Sequence, residues 1–311
     1  MAEASTRETY GRILVEIGRE NQNIVVLDAD LSTSTMTTFF AQEFPDRFFD
    51  CGLQEQNMIG IAAGLAATGK IVFVSSFAIF ISCRAFDQLR LCLSQPGLNV
   101  KIVATHGGIT VGEDGSSHHA IEDLALFCAL PGFTVIVPAD AVETAGAVRE
   151  AALGYGPCYI RLSRPKTPLV YSQGYKFASG KAVTMRQGND ATIVAAGIMV
   201  AKALEAADML ARQNIDCRVL NMHTFKPLDE NALVEAASQT GAVVVAEEHL
   251  AQGGLGSRVA QVLASEVPVP MGFVNLGDSY AVSGKADELV QRCGLTAKGI
   301  EQSVKSTVKR K

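Results

Sequence analysis

The 311-residue chain has no tryptophan, no cysteine pair at C-x-x-C spacing, no block of like charge and no long uncharged apolar run. Each absence closes off a class of protein. The longest apolar stretch, near residues 71–86, is interrupted by Ser75, Ser76, Ser82, Cys83 and Arg84. It therefore falls short of the roughly 18 residues that a membrane-spanning helix needs. With 48% apolar and 19% charged residues, disorder is excluded as the main state. The seven cysteines at 51, 83, 92, 128, 158, 217 and 293 are odd in number, which argues against a disulfide frame or zinc ribbon. Unpaired, mostly buried thiols in a reducing cytoplasm are the expectation. A net charge of −5, with the only basic run at Lys305–Lys311, argues against a nucleic-acid partner. The opening MAEASTRETYGR has no apolar core of a secretory signal. Neither G-x-S-x-G nor H-E-x-x-H occurs, which removes the commonest hydrolase signatures.

What is present is an alternation of short β-branched runs with stretches of helical apolar period. Strands are expected at 24–30, 71–76, 100–106, 133–140 and 158–164, with helices at 55–67, 82–94, 121–130 and 141–153. Near-continuous apolar strands separated by helices indicate an α/β fold with a doubly wound parallel sheet. From Pro165 to about Gly188 periodicity is lost, and alternation resumes with strands at 191–197, 217–222, 242–249 and 271–277. The expected plan is one domain over 1–170, a linker over 171–188 and a smaller α/β domain over 189–311. Open parallel sheets bind ligands beyond the carboxyl ends of their strands. Here those ends carry Asp30, Ser76 with Phe77, His106, Asp140, and Arg161 with Arg164.

Two glycine-rich strings fail as phosphate loops. In Gly64-Leu-Ala-Ala-Thr-Gly69-Lys70 the residue after the lysine is Ile71, and the string ends a helix instead of opening one, so a glycine C-cap is the better reading. Gly253-Gly254-Leu255-Gly256 reads as a tight turn.

Three segments hold chemistry. Asp28-Ala-Asp30-Leu-Ser32-Thr-Ser34 is a strand end running into hydroxyls, equally readable as a helix cap. Gly52-Leu-Gln-Glu55-Gln56 puts a carboxylate at a helix start, where the dipole alone would favour it. The densest is Thr105–His119, which holds three of the five histidines among glycines. Histidines in such a loop suit proton transfer or hydrogen bonding to hydroxyl and phosphate groups. A metal site from His106, Asp114, His118 and Glu122 is the rival reading, although it lacks the compact spacings of zinc sites.

Together these motifs resemble the C-terminal half of a transketolase, over essentially the whole length. That family carries G-I-x-E-Q/H, an aromatic cluster, and T-H-x-x-x-x-x-G-E-D-G-x-x-H. The chain has Gly52-Leu-Gln-Glu55-Gln56, Ser76-Phe77-Ala-Ile-Phe80, and the loop from His106 to His118. The resemblance implies that Glu55 bonds N1′ of the thiamine diphosphate aminopyrimidine and so promotes deprotonation of the thiazolium. It implies that Phe77 and Phe80 form the ring pocket, with Asp30 near the thiazolium and the subunit contact. It further implies that His106 and His118 bond donor and acceptor oxygens, and that Asp114 reads donor stereochemistry. Arg7, Ser34, His106 and Arg164 would grip the substrate phosphate, with Arg161 as the nearby alternative; an arginine fork suits that task.

The chain departs from the family at Ser116-Ser117, where Pro-Thr is common, and at His119, where Gln is frequent. Which imidazole faces the substrate, and which sugar is preferred, stay open. The family's G-D-G plus Asn site for the diphosphate and Mg2+ is not found, so the resemblance implies that both are held by a partner with the N-terminal half, in an α2β2 heterotetramer. Transfer of a two-carbon ketol unit between sugar phosphates is the implied activity. The alternatives are a β-type subunit of a 2-oxoacid dehydrogenase, a deoxyxylulose-phosphate synthase-like subunit, or a non-catalytic assembly subunit.

Overall fold

The computed structural model describes residues 2–311 and holds two parallel sheets covered by helices. The first sheet has seven strands in the spatial order Thr224–Lys226, Thr134–Ile136, Cys158–Arg161, Val100–Ala104, Ile71–Ser75, Ile24–Asp28 and Phe48–Asp50. All neighbours are parallel except the first pair. The strands Ile24–Asp28 and Val100–Ala104 are buried at every position, as expected when helices cover both faces. The second sheet runs Met271–Val274, Val243–Ala246, Ala191–Ala195, Cys217–Asn221 and Val183–Arg186, the last antiparallel.

The expected helices at 55–67 and 141–153 form as Glu55–Ala67 and Ala141–Leu153. Three features depart from expectation. The helix Thr6–Glu20 has no counterpart in the sequence reading, yet its signal is present: Ser5 accepts from the Glu8 amide, the S-x-x-E spacing of a capping box, and Tyr10, Ile13, Leu14 and Ile17 are buried at helical spacing. The expected helix at 82–94 begins at Ala78, breaks at Ala85 and ends in a π-turn over Leu89–Ser94. The segment read as a linker supplies the edge strand Val183–Arg186, whose half-exposed residues leave no apolar alternation to detect. In addition, Thr224–Lys226 lies in the second half of the chain but closes the first sheet.

Gly69 has φ +91 just past the helix Glu55–Ala67, and its amide bonds the Ala66 carbonyl, so it is a helix C-terminal glycine. The seven thiols are unpaired, but only Cys158 and Cys217 are buried, fewer than the sequence suggested. No helix among the described residues is long and apolar enough to cross a membrane.

The two sheets are joined by buried polar contacts. Glu248 Oε1 accepts from the Thr110 amide at 2.9 Å, and its carbonyl accepts from Arg161 at 3.1 Å. Asn221 Nδ2 donates to both oxygens of Glu143 at 3.0 and 3.1 Å. A two-residue antiparallel ladder, Glu3–Ala4 against Thr167–Pro168, ties the start of the first helix to the chain just after Arg164.

Candidate active site

In the first sheet the chain order reverses between Ile24–Asp28 and Ile71–Ser75, which are register partners from Ile24↔Ile71 to Asp28↔Ser75. Such a reversal opens a crevice beyond the strand carboxyl ends. Glu55, the first residue of its helix, is 2% exposed there. Arg84 Nη1 lies 3.1 and 3.2 Å from its two carboxylate oxygens, and Ser76 Oγ donates to Oε1 at 3.4 Å. The Arg84 guanidinium also sits 4.0 Å from the centre of the Phe80 ring. Arg84 was not singled out in the sequence; its only signal was its position after the aromatic pair.

Phe77 is placed by backbone pairing. It bridges Thr105 in parallel, and the Ala78 amide donates to the Thr105 carbonyl at 2.8 Å. This pairing stacks Phe77 on His106 at 3.7 Å between ring centres, with Phe80 stacked on Phe77 at 5.7 Å. His118 meets the Phe80 ring edge-on at 5.1 Å. The structure thus joins Glu55, Phe77, Phe80, His106 and His118, five residues spread over 64 positions of sequence, into one wall of conjugated rings beside a buried carboxylate.

His106 has φ +61, a left-handed conformation uncommon outside glycine, and its Nδ1 is 2.8 Å from Thr105 Oγ1. Burial, then the positive charges of Arg7 and Arg164 and finally His118, push its pKa down to about 3. It is therefore a neutral imidazole at physiological pH, suited to hydrogen bonding and not to carrying positive charge. His119 is buried away from the rings with Nε2 3.2 Å from the Gly112 carbonyl, and burial lowers its pKa as well. Of the two imidazoles, His118 is the one on the ring cluster.

Next to His106 lies a second group. Arg7 donates through Nη1 to the Ser34 carbonyl and through Nε and Nη2 to the Arg164 carbonyl at 3.2 and 3.1 Å. Arg164 donates to the Val111 carbonyl, and its Nη1 lies 3.8 Å from Asp114 Oδ2. Arg7, Ser34, Asp114 and Arg164 are thus brought together, and the arginines line a pocket of about 350 Å³.

Arg161 is not part of this group. It is 5% exposed beneath the loop, with Nε 3.1 Å from Asp123 Oδ2 in an ion pair that is off the hydrogen-bond axis, and Nη2 donates to the Ala120 and Glu248 carbonyls. Its side chain is held inside the protein and is not in the lining of the Arg7–Arg164 pocket. Asp30 is exposed with φ +63, and its amide donates to Asp50 Oδ1 at 3.0 Å; no contact links it to the ring cluster. The buried acid of that segment is Asp28, which accepts from Thr35 and Thr37 hydroxyls at 2.7 and 2.8 Å and from the Leu31 amide at 2.7 Å. Burial raises its pKa to about 6, and these bonds fix the short Ser32–Thr35 helix that presents Ser34.

A buried carboxylate beside flat apolar rings fits an aminopyrimidine, whose ring nitrogen needs an acid partner and whose faces need π surfaces. Glu55, Phe77 and Phe80 are the residues that would hold it. No group of three or more His, Cys, Asp or Glu among the described residues could hold a metal ion. The same finding stands against the rival metal reading of His106, Asp114, His118 and Glu122.

Comparisons with known proteins agree with this geometry. Residues 2–170 match the family model "Transketolase, pyrimidine binding domain" and residues 180–300 match "Transketolase, C-terminal domain". The chain is 45% identical to a putative transketolase C-terminal section from Methanocaldococcus jannaschii, over 98% of this chain and 96% of that one. It is 44% identical to a 6-deoxy-6-sulfo-D-fructose transketolase subunit from a Clostridium species, over 98% of this chain and 95% of that one. Among solved structures, a split-gene transketolase described as an inactive β4 tetramer superposes with a TM-score of 0.92 at 49% identity, with full coverage of both chains. A Pichia stipitis transketolase bound to sedoheptulose 7-phosphate gives 0.84 at 26% identity, with 99% of this chain matching 46% of that one. These matches favour transketolase over a 2-oxoacid dehydrogenase or deoxyxylulose-phosphate synthase subunit and over a non-catalytic subunit. The chain belongs to the transketolase family, corresponds to its pyrimidine-binding and C-terminal domains, and by that membership is a thiamine diphosphate protein subunit.

Proposed function

We propose that this chain is the C-terminal subunit of a split transketolase that transfers a two-carbon ketol unit from a phosphorylated ketose to an aldose acceptor. The observation that carries the reading is the continuity of the Glu55–Phe77–Phe80–His106 cluster with the Arg7–Ser34–Arg164 cluster. One supplies a cofactor-ring wall and the other an anion grip, and His106 belongs to both, stacked on Phe77 and within the electrostatic reach of Arg7 and Arg164. Thiamine diphosphate, when bound, supplies the nucleophilic carbon that accepts the ketol unit.

The protein's own residues do the rest. Glu55 holds or shares a proton at the aminopyrimidine nitrogen, and Arg84, 3.1 Å away, holds the carboxylate in place. Neutral His106 and half-buried His118 hydrogen-bond the sugar's oxygens and move protons between them and solvent. Asp114 bonds a donor hydroxyl, while Arg7 and Arg164 with Ser34 anchor the phosphate. Asp30 lies toward the subunit contact. Mg2+ and the diphosphate are assigned to a partner with the N-terminal half, in a cytoplasmic α2β2 heterotetramer. Support comes from the relatives of equal length named as C-terminal section or subunit, and from the unpaired thiols.

Co-expression with the N-terminal-half partner, followed by assay with a panel of ketose phosphates, tests the reading. Ketol transfer only in the complex is expected. Turnover by the isolated chain with thiamine diphosphate and Mg2+, or acetyl transfer from pyruvate as sole donor, would overturn it.

A further inference from the structure

The phosphate grip assigned above draws on residues of the first domain alone. The pocket that Arg7 and Arg164 line, beside Ser34 and His106, also takes Lys285 and Ala286 of the second domain into its lining. The packing that brings them there is specific. Ser283 Oγ donates to the Glu113 carbonyl in the histidine loop. Gly112 of that loop has φ +84, and a Cβ built on it would stand 3.3 Å from the Gly284 carbonyl and 3.4 Å from the Ala286 amide. Leu289 and Val290 bury their side chains just beyond, so the segment before them is anchored.

The charge of the pocket is unbalanced. Arg7, Arg164 and Lys285 line it with Glu113, and Asp114 reaches Arg164 only at 3.8 Å. Among the described residues neither Arg7 nor Lys285 forms an ion pair. The backbone carbonyls of Ser34, Arg164 and Val111 hold the two guanidiniums without neutralising them. Three cationic residues in the lining of one cavity suit a dianion better than a monoanion, because attraction grows with the ligand's charge while its size barely changes.

We propose that Lys285, from the second domain, is a third cation for the terminal phosphate of the sugar and sets the preference for a dianionic phosphate over a monoanionic or neutral end group. This rests on the transketolase reading of the site. Lys285 acts on substrate binding and not on the reacting carbons, so its effect falls on KM and not on kcat.

The test uses the reconstituted complex with a ketose phosphate, its 6-sulfonate analogue and the unphosphorylated ketose as donors. Lys285→Met should raise KM for the phosphorylated donor about tenfold, the scale of one charge-assisted hydrogen bond, and leave kcat unchanged. KM for the unphosphorylated donor should not move, the sulfonate should shift less than the phosphate, and Lys285→Arg should restore most of the loss. Lys309→Met, at the exposed C-terminus, is the control. Equal KM shifts for all three donors, or none, would overturn the proposal. So would a Lys285→Met chain that loses its partner while keeping phosphate discrimination, since the pocket would then serve a partner's carboxylate. Inorganic phosphate titrated into the full-length chain and followed by NMR gives a readout independent of activity. Weaker binding in Lys285→Met with an inactive wild-type complex would sink the transketolase reading but keep the pocket, whereas equal binding would sink the pocket.

Discussion

Arg161 and Arg164 are three residues apart, and substituting each with methionine tests the proposal that the first holds the fold and the second binds substrate. Arg161→Met leaves Asp123, which is fully buried, with Tyr159 as its one remaining polar partner at 2.6 Å. It also removes the donor to the Ala120 and Glu248 carbonyls, the second of which lies in the other domain. Breaking one partner out of a buried pair costs about 3–5 kcal/mol, because the other charge stays desolvated. Unfolding entropy of roughly 2.1 cal/mol/K per residue makes that a fall of about 5–8 °C in the melting midpoint of a chain this long. Arg164→Met, at a half-exposed side chain, should move the midpoint by about 1 °C and instead raise KM for a phosphorylated donor. Combining Arg161→Met with Asp123→Leu should recover part of the lost stability, since no charge is left buried alone. Thermal unfolding followed by circular dichroism, with steady-state kinetics on the reconstituted complex, reads both effects. An Arg161→Met protein with an unchanged midpoint and a raised phosphate KM would refute the assignment.

Three further outcomes follow from the same geometry. Glu55→Gln should lower kcat by about 10²–10⁴-fold, the range of a lost proton-transfer group, with the fold retained by circular dichroism; unchanged turnover would remove Glu55 from the chemistry. The His106 ring, with its pKa near 3 against an ordinary 6.5, should stay neutral from pH 5 to 8 in an NMR titration. Its contribution to stability is complete above about pH 6.5 and is lost as pH falls toward 3, so a ring midpoint above 5 would contradict the structure. Glu143, buried between the domains with its pKa raised to about 7 by desolvation, favours folding below its ordinary 4.5 and loses that contribution as pH rises through 7. Glu143→Gln should therefore gain about 3 kcal/mol relative to wild type between pH 5 and 8 in denaturant titrations, and a flat difference would count against the raised pKa.

The readable parts of this protein were those where a local run carries the signal. A parallel strand covered on both faces must be apolar throughout, so Ile24–Asp28 and Val100–Ala104 announce themselves. The helix Glu55–Ala67 and the glycine that ends it were equally plain. The edge strand Val183–Arg186 escaped notice because an edge is half exposed and needs no apolar pattern. The strand Thr224–Lys226 has too few residues to show a period, and its partner lies 88 residues earlier. In the site, the histidine loop was legible from its composition, whereas Arg84 was not, because its role depends on a contact with a residue 29 positions away.

The sequence by itself determined the α/β alternation, the two-part organisation and the residue types of the site, since periodicity and short motifs are properties of neighbouring residues. Tertiary structure alone decided where each member of a close pair lies: Arg164 beyond the strand end and Arg161 buried within it, His118 on the rings and His119 away from them, Asp28 buried and Asp30 exposed. Residues one to three positions apart point in different directions once the backbone is set, and whether each direction meets solvent, a ring or a buried charge is fixed by segments far away in the chain. For the same reason only the folded chain brings Lys285 to the pocket of Arg7, nearly the whole sequence away.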